Sequence, residues 1–369
     1  MLAELARQPH ARAVLAPVLA PGGRPSHAYL FHGPGGAGKR SAARAVASEL
    51  LATGSPQPED ARARVVSGAH PDLTWVTPSG AHEILVADID APVVAASSRT
   101  PFESSRRVFV IERVDELGEE AANRMLKTLE EPAPYVHLIL LTERLAEVLP
   151  TIRSRCQLVR FDASSAEDLA GQIEALGVSR ATAIACTRLA LGDGARAREL
   201  ASQEGAALRE AAERFARAAV AGDVSARDLC SQLIATIRRR GEVTRAELEG
   251  RAAAELELYP RKERKRIETE WTDRIKRVRR RVETSALDLA LQLVALWFTD
   301  LMCLSWGAED LVRHCDRCSQ LAADLGGAPL QLRAAVELVE ETRARFALNV
   351  TEELACEALA YRLEHVLAQ

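Results

Sequence analysis

The stretch GPGGAGKR, residues 33–40, decides the fold of the first part of this 369-residue chain. It follows a short apolar run at residues 27–31 and opens a segment with helical spacing. A strand that ends in a glycine-rich turn before a helix is typical of a phosphate loop, whose backbone N–H groups surround phosphate oxygens. Gly33 and Gly38 allow the turn, and Lys39 can neutralise terminal phosphates. The stretch therefore predicts a nucleotide-binding-like α/β domain.

The residues that would hold magnesium and activate water are both replaced. Arg40 occupies the position where a Ser or Thr hydroxyl would bind Mg²⁺, and its guanidinium repels a metal ion. The predicted strand at residues 107–111 is followed by Glu112 and Arg113, where an active ATPase of this class has Asp and Glu. Arg113 has no lone pair to offer a water molecule. We therefore expect no ATP hydrolysis, and the alternative is an active ATPase with unusual chemistry.

Apolar segments alternate with helical segments as far as residue 162. The predicted strands are residues 27–31, 72–76, 107–111, 136–141 and 158–161, and the predicted helices are residues 39–51, 88–98, 119–129 and 149–155. Pro92 falls in or near the first turn of its predicted helix, where a missing N–H does little harm. Apolar strands separated by helices predict a parallel sheet that is covered on both faces.

Beyond residue 162 the strand signals stop. Three short helices are predicted at residues 165–176, 179–191 and 195–202, and everything from residue 205 has helical spacing. We therefore predict an α/β domain at 1–162, a small helical lid at 163–204 and an all-α domain at 205–369, with a charged helical insertion at about 243–285.

Composition excludes several classes of protein. The formal net charge of −4 excludes a polycation that coats nucleic acid. The seven Cys form no disulfide framework and indicate a reducing cytoplasm, and no signal peptide is recognisable at the N-terminus. The apolar segment at residues 287–306 contains Asp288 and Asp300, which would be costly inside a membrane, so we expect a buried core helix.

Residues 261–283 carry eleven Lys or Arg against five acids. Their apolar residues form one narrow helical stripe: Ile267, Trp271, Ile275, Val278 and Val282. One interpretation is a solvated helix that packs through this stripe, as a hairpin with residues 248–259. The other is an arm that binds DNA or a partner.

Two further strings carry a resemblance to a known family. The string AANRMLKTLEEP, residues 121–132, includes Lys127 and Glu130, and LPTIRSRC spans residues 149–156. Both resemble segments of bacterial clamp-loader subunits, which are AAA+ proteins, and AHPD at residues 69–72 is a weaker match. The resemblance implies an AAA+ P-loop domain followed by the family's lid and collar domains. The degraded phosphate loop is similar to that of the delta-prime type of subunit.

The resemblance also implies a role for particular residues. Such loaders are rings that place a sliding clamp on primed DNA, with ATP bound between subunits. By position, Arg155 corresponds to the arginine that reaches a neighbour's ATP site, flanked by Ser154 and Cys156, while Thr142 falls where related ATPases keep a polar sensor. The implied partners are ATPase subunits, a delta subunit, the clamp and primed DNA. We expect no independent catalysis, no membrane contact and a cytoplasmic location.

Zinc is not expected. Many clamp-loader subunits carry a four-Cys zinc module between the phosphate-loop helix and the second strand, but residues 52–70 contain no Cys. The pair Cys315 and Cys318 has no second pair and is interpreted as two partly buried side chains on a helix. We expect no required cofactor, and the sequence leaves open whether the loop holds ATP or ADP.

Overall fold

The computed structural model describes residues 5, 7–20, 22–79, 83–224, 227–257, 261–326, 328–346 and 351–368. The chain forms two compact units, Met1–Ser164 and Ser165–Gln369. The first unit is an α/β domain, and the described elements of the second are helical. The finer division of the helical region into a lid and a collar stays a prediction.

The first unit is built on a five-stranded parallel sheet. Its strands are β1 (Ala28–His32), β2 (Leu73–Val76), β3 (Arg107–Ile111), β4 (Val136–Thr142) and β5 (Gln157–Arg160). Its helices are α1 (Pro9–Leu19), α2 (Lys39–Ala52), α3 (Pro58–Ser67), α4 (Val86–Ile89), α5 (Glu119–Glu130) and α6 (Pro150–Arg153). The strand order is β2-β3-β4-β1-β5, and every neighbouring pair is parallel. The predicted parallel sheet is thus confirmed.

Both faces of the sheet are buried. Leu30 and Leu138 belong to one hydrophobic cluster, while Phe31 and Ile139, the next residues along, belong to the cluster on the opposite face. All seven residues of β4 are buried. Each fully buried side chain of this size stabilises the fold by about 1.5–3 kcal/mol, which explains why these strands are almost continuously apolar.

Two local predictions were wrong in detail, and one helix was not predicted. The helix expected at residues 88–98 begins at Val86 and widens into a π-helix at Asp90–Ala95, so Pro92 lies well inside it. Proline lacks an N–H and breaks the regular ladder of hydrogen bonds, and a wider turn accommodates the loss. The helix expected at residues 149–155 is a single turn, α6, and α3 had not been predicted.

The second unit contains nine named α-helices in its described residues. They are α7 (Ala166–Glu174), α8 (Arg180–Leu189), α9 (Gly194–Ala201), α10 (Gln203–Ala221), α11 (Leu229–Glu257), α12 (Arg261–Ser305), α13 (Cys318–Ala323), α14 (Pro329–Phe346) and α15 (Glu352–Leu367). Phe215, Trp297 and Phe298 are fully buried in their common core. The first three helices match those predicted between residues 165 and 202.

Helix α12 joins the charged segment and the apolar segment in one continuous element. It packs along α11 as an antiparallel hairpin, since Arg279 pairs with Glu242 while Trp271 lines a groove with Leu256. Tyr259, at the end of the predicted hairpin partner, lies outside the described residues. By length and composition alone, residues 264–305 could cross a membrane, but 72% of the most apolar window is buried within the protein. The apolar half is therefore a core helix, as expected.

Candidate functional site

The phosphate loop connects β1 to α2 and keeps the backbone conformation that such a loop requires. Gly33, Gly36 and Gly38 have φ angles of 144°, 70° and 91°, which side-chain-bearing residues rarely adopt. A Cβ atom at Gly33 would lie 2.1 Å from the carbonyl oxygen of Phe161. Glycine is therefore required there by close packing as well as by its dihedral angle.

Lys39 is held by the loop itself. Its side chain is 7% exposed, and Nζ donates to the carbonyl oxygens of Gly33 at 2.5 Å and Pro34 at 2.6 Å. Within the part of the chain that the structure describes, no hydrogen bond engages the backbone N–H groups of Gly36, Gly38 or Arg40. These donors stay available to an anion at the N-terminus of α2.

The two altered positions of the metal site meet each other. Nε of Arg40 lies 2.7 Å from Oε1 of Glu112, and Nε1 of Trp75 donates to the same oxygen at 2.6 Å. An active enzyme of this class would hold Mg²⁺ between a hydroxyl and a carboxylate at these positions. Here position 40 has no hydroxyl, and the guanidinium of Arg40 neutralises the carboxylate of Glu112. The side chains therefore do not fit a magnesium ion.

Trp75 was not predicted as part of the site. The guanidinium of Arg44, one turn after Arg40 on α2, lies 4.9 Å from the centre of its ring, and Nη1 of Arg44 donates to the carbonyl oxygen of Val66 at 2.6 Å. Trp75 lies on β2 beside Val110 of β3, which brings its indole close to Glu112. The sequence signal for Trp75 was a tryptophan, with one N–H donor, on the strand next to β3. Such a residue is too common to indicate a role.

The remaining candidate positions also have partners in the first unit. Arg113, at a φ of 55°, forms an ion pair with Glu116. Thr142 is buried, and its hydroxyl donates to Oδ1 of Asp115 at 2.8 Å and accepts from the backbone N–H of Arg144 at 3.0 Å. Neither side chain is positioned here as a base for an attacking water.

Arg155 lies at the surface just after α6, with its side chain 34% exposed. Nη1 donates to the carbonyl oxygen of Thr151 at 2.9 Å and to Oγ of Ser154 at 3.2 Å, and Nη2 donates to Oε1 of Glu130. Glu130 ends α5, so the structure brings together the two strings that carried the family resemblance. Lys127 lies on the same helix and is exposed.

Cys156 has a structural role in this geometry. Its side chain is half-buried and packs against the hydrophobic cluster on one face of the sheet. Burial raises the pKa of the thiol to about 12, so the sulfur stays protonated and is a poor nucleophile at neutral pH. It fixes the chain beside Arg155 while the arginine stays at the surface.

The weaker AHPD match also has a structural explanation. Asp72 is fully buried, and its carboxylate accepts from the backbone N–H groups of Phe102, Glu103 and Ser104. Nδ1 of His70 accepts from the backbone N–H of Asp72 at 3.1 Å. The string therefore anchors the loop before β3.

The electrostatic field at the phosphate loop is positive. His32, the residue before Gly33, has a pKa below its ordinary value, first because of burial and then because of the charges of Arg160 and Lys39. Such a field favours anions and disfavours cations.

No group of three or more His, Cys, Asp or Glu side chains in the described ranges is placed to hold a metal ion. The interpretation of Cys315 and Cys318 as two partly buried side chains on a helix was wrong in two respects. Helix α13 begins at Cys318, which is exposed, while Cys315 lies in the preceding turn. The Sγ of Cys318 contacts the carbonyl oxygen of Cys315 at 3.2 Å.

Comparison with known proteins points in the same direction for the first unit. The sequence profile of the family "DNA polymerase III, delta subunit" matches residues 8–165. DNA polymerase III subunit delta' of Bacillus subtilis is 41% identical over 142 residues, which are 37% of this chain and 43% of that protein. The delta' subunit of Pseudomonas aeruginosa is 35% identical over 136 residues, 36% of this chain and 42% of that protein.

Further relatives carry the names of other DNA polymerase III subunits. DNA polymerase III subunit gamma/tau of Mycobacterium tuberculosis is 32% identical over 163 residues, 42% of this chain and 27% of that protein. A gamma subunit-related protein of Thermotoga maritima has a solved structure that covers 97% of this chain and 99% of its own, at 13% identity and a TM-score of 0.46. The chain thus spans less than half the length of the two delta' relatives. The family profile matches its α/β unit.

Proposed function

We propose that the chain, which resembles DNA polymerase III delta' subunits in its first unit, is a non-hydrolysing stator of a bacterial sliding-clamp loader. In this role it assembles with ATPase subunits of the gamma/tau type and with a delta subunit, and it contributes Arg155 to a neighbour's ATP site. The complex acts on the clamp and on primed DNA in the cytoplasm.

The ion pair between Arg40 and Glu112 carries the non-hydrolysing part of the proposal. Phosphoryl transfer to water depends on a metal that neutralises the phosphates and on a group that orients the water. At the first position the guanidinium of Arg40 is paired with Glu112, and at the second Arg113 is paired with Glu116. Two separate requirements of hydrolysis are thus unmet in one site.

The surface position of Arg155 supports action in trans. A phosphoryl-transfer transition state spreads negative charge over terminal oxygens, and an arginine from another subunit can stabilise it. Arginine suits this task because its charge is permanent and its planar fork binds two oxygens at once. The present partners of Arg155, Glu130 and two surface oxygens, are exposed and can be exchanged for phosphate oxygens without disturbing the core.

The test is a reconstituted loader that contains Arg155→Ala or Arg155→Lys. We expect normal assembly and a fall in DNA-stimulated ATP hydrolysis and clamp loading of at least about tenfold, since arginine fingers contribute factors of ~10³ or more at one site. Lys keeps the charge but loses the fork, so it should rescue only partly. Arg124→Ala, which removes an exposed arginine from α5 of the same unit, is the control.

Normal clamp loading by the Arg155→Ala complex would disprove the role in trans. The isolated chain is tested separately for hydrolysis. A turnover above background that Lys39→Ala abolishes would show an active ATPase instead of a stator.

A further inference from the structure

We propose that the groove between α11 and α12 is a docking site for an amphipathic helix of a partner protein, and that the polar flank of this helix is acidic. The groove lies in the second unit and is lined by side chains of α11 and α12. The inference goes beyond the proposed function, because it involves neither the phosphate loop nor Arg155.

Small side chains on α11 leave the space for the groove. A Cβ atom at Gly250 would meet nothing within 4 Å, and Ala252 and Ala253 line the groove two and three residues later. Trp271 lies across from them on α12, and alanine side chains are too short to cover its ring. The groove that results has a volume of about 400 Å³.

The floor of the groove is apolar and only partly covered by the chain itself. Trp271 and Ile275 lie one turn apart on α12, and both are half-buried, as is Leu256 of α11. One turn before Trp271 the same stripe is fully packed, since Ile267 is 5% exposed. A partly exposed tryptophan with aliphatic neighbours has the composition of an interface centre, where aromatic anchors contribute most of the binding energy.

The shape of the groove favours a helix as its occupant. Two antiparallel helices present a groove parallel to their axes, and a third helix packs into such a groove through side chains spaced i, i+3, i+4 and i+7. The groove follows α11 from Arg245 to Leu256. This part of α11 is roughly 17 Å long, which about three turns of a partner helix would match.

The charge of the hairpin favours an acidic partner. Residues 242–257 and 261–283 together contain thirteen basic and ten acidic side chains, in a chain whose formal net charge is −4. Lys276 at the rim is exposed and forms no ion pair with any residue that the structure describes. The guanidinium of Arg274 lies 5.0 Å from the centre of the Trp271 ring, so a second positive charge borders the floor. A second copy of this hairpin would carry the same excess of positive charge and is therefore a less favourable occupant.

The charges along the groove also give the partner a direction. Arg245, Lys276 and Arg279 line one end, while Glu268 lines the end that contains Leu256. Arg245 and Arg279 already share the carboxylate of Glu242. Acidic side chains of the partner therefore belong at the end of the groove with Lys276, whose charge is not neutralised within the chain.

The experiment measures binding of the full-length protein to two labelled synthetic peptides by fluorescence anisotropy. Both have about 18 residues, or five helical turns, with leucines on one face. One peptide has glutamates on its flanks, and the other has lysines at the same positions. We expect the acidic peptide to bind at least about tenfold more tightly at about 50 mM salt, and the ratio to shrink at about 200 mM.

Matched variants locate the binding site. Trp271→Ala should weaken binding of the acidic peptide about tenfold or more, as the loss of an aromatic anchor does. Its control is Trp306→Ala, which removes an exposed tryptophan that does not line the groove. Lys276→Glu should also weaken binding, whereas Lys265→Glu reverses an exposed charge on α12 away from the groove and should not.

Ala253→Glu separates loss of the groove from loss of the fold. Ala253 is exposed on a helix, where glutamate is well tolerated, yet the longer acidic side chain fills the groove and repels the peptide. The proposal is overturned if neither peptide binds, if both bind equally, or if Trp271→Ala and Ala253→Glu bind as the wild type does. It is also overturned if sedimentation shows a wild-type dimer that Ala253→Glu abolishes, or if duplex DNA displaces the peptide, because the occupant is then a second copy or a nucleic acid.

Discussion

Arg40 and Glu112 lie more than seventy residues apart, yet their side chains meet at 2.7 Å. Taken singly, each is a substitution that removes a metal ligand. Together they form an ion pair that leaves neither charge isolated, which matters because Glu112 is largely buried and an unpaired buried carboxylate would be costly. The sequence indicated both losses but not their pairing, because the contact depends on where α2 begins relative to the end of β3.

His137 of β4 makes the stability of the first unit depend on pH. The residue is buried, and its Nδ1 lies 2.9 Å from the carbonyl oxygen of Ser26. Burial lowers its pKa to about 4. The hydrogen bond to Ser26 opposes this shift, while the charges of Arg106 and His27 add to it. Because the unfolded chain binds this proton at an ordinary pKa near ~6.5, the contribution to stability is complete above that pH and is lost as the pH falls toward 4.

We therefore predict that His137→Asn reduces the acid sensitivity of the protein. The amide can still donate to Ser26, but it does not titrate. Between pH 7 and pH 4 the free energy of unfolding of the wild type should fall by roughly 3 kcal/mol more than that of the variant. Urea unfolding at several pH values measures this difference. If the free energy of unfolding depends on pH in the same way in both proteins, the prediction is wrong.

At the scale of elements, the strands and most helices of the first unit could be predicted because their patterns are local. Apolar runs such as residues 107–111 and 136–141 are bounded by turn residues, and the sheet confirms them. The π-helix at Asp90–Ala95 could not be predicted, since it reflects how one proline is accommodated by its surroundings. The indole of Trp75 became part of the site for a similar reason, because only the parallel pairing of β2 with β3 places it there.

The long hairpin of α11 and α12 contains a matched pair of glycines. A Cβ atom at Gly241 would lie 2.4 Å from Oε1 and 2.8 Å from Cγ of Glu283, whereas a Cβ at Gly250 meets nothing within 4 Å. Glu283 is itself buried and held by Nε of Arg279 at 2.9 Å, so it cannot move aside freely. The two helices therefore approach more closely at Gly241 than at Gly250.

We predict opposite effects of the same substitution at these two positions. Gly250→Ala should stabilise the protein by about 0.5–1 kcal/mol, the ordinary gain in helix propensity. Gly241→Ala should destabilise it, by about 1–3 kcal/mol relative to the first variant, because overpacking outweighs that gain. Thermal unfolding of the two variants is the measurement. An equal increase in melting temperature for both variants would contradict the close approach of α11 and α12 at Gly241.

At the scale of the whole molecule, the open question is whether the charged half of α12 is a DNA-binding arm. Residues 261–283 contain eleven basic residues, and residues 242–257 of α11 contain five acids and two bases. Arg279 pairs with Glu242 at 3.0 Å, and Arg280 pairs with Glu352 of α15 at 3.1 Å. These two charges are thus paired within the second unit. Trp271 and Ile275 of the apolar stripe line a groove with α11, and Ile267 is buried.

Lys265 and Lys276 are exposed on this helix and allow the two interpretations to be separated. A packing role predicts that Lys265→Glu with Lys276→Glu leaves the affinity of the assembled loader for primed DNA unchanged to about twofold. A DNA-binding arm predicts a weaker complex and a smaller salt dependence, because each lost phosphate contact reduces the slope of log K against log salt by about 0.9. We expect an unchanged slope between 50 and 200 mM salt, the range over which phosphate contacts have large effects. If the lysine variant binds primed DNA more weakly and with a smaller salt dependence, α12 is an arm that contacts DNA directly.

Reversing the charges of the paired Arg279 and Arg280 should instead lower the melting temperature, since it places like charges against Glu242 and Glu352.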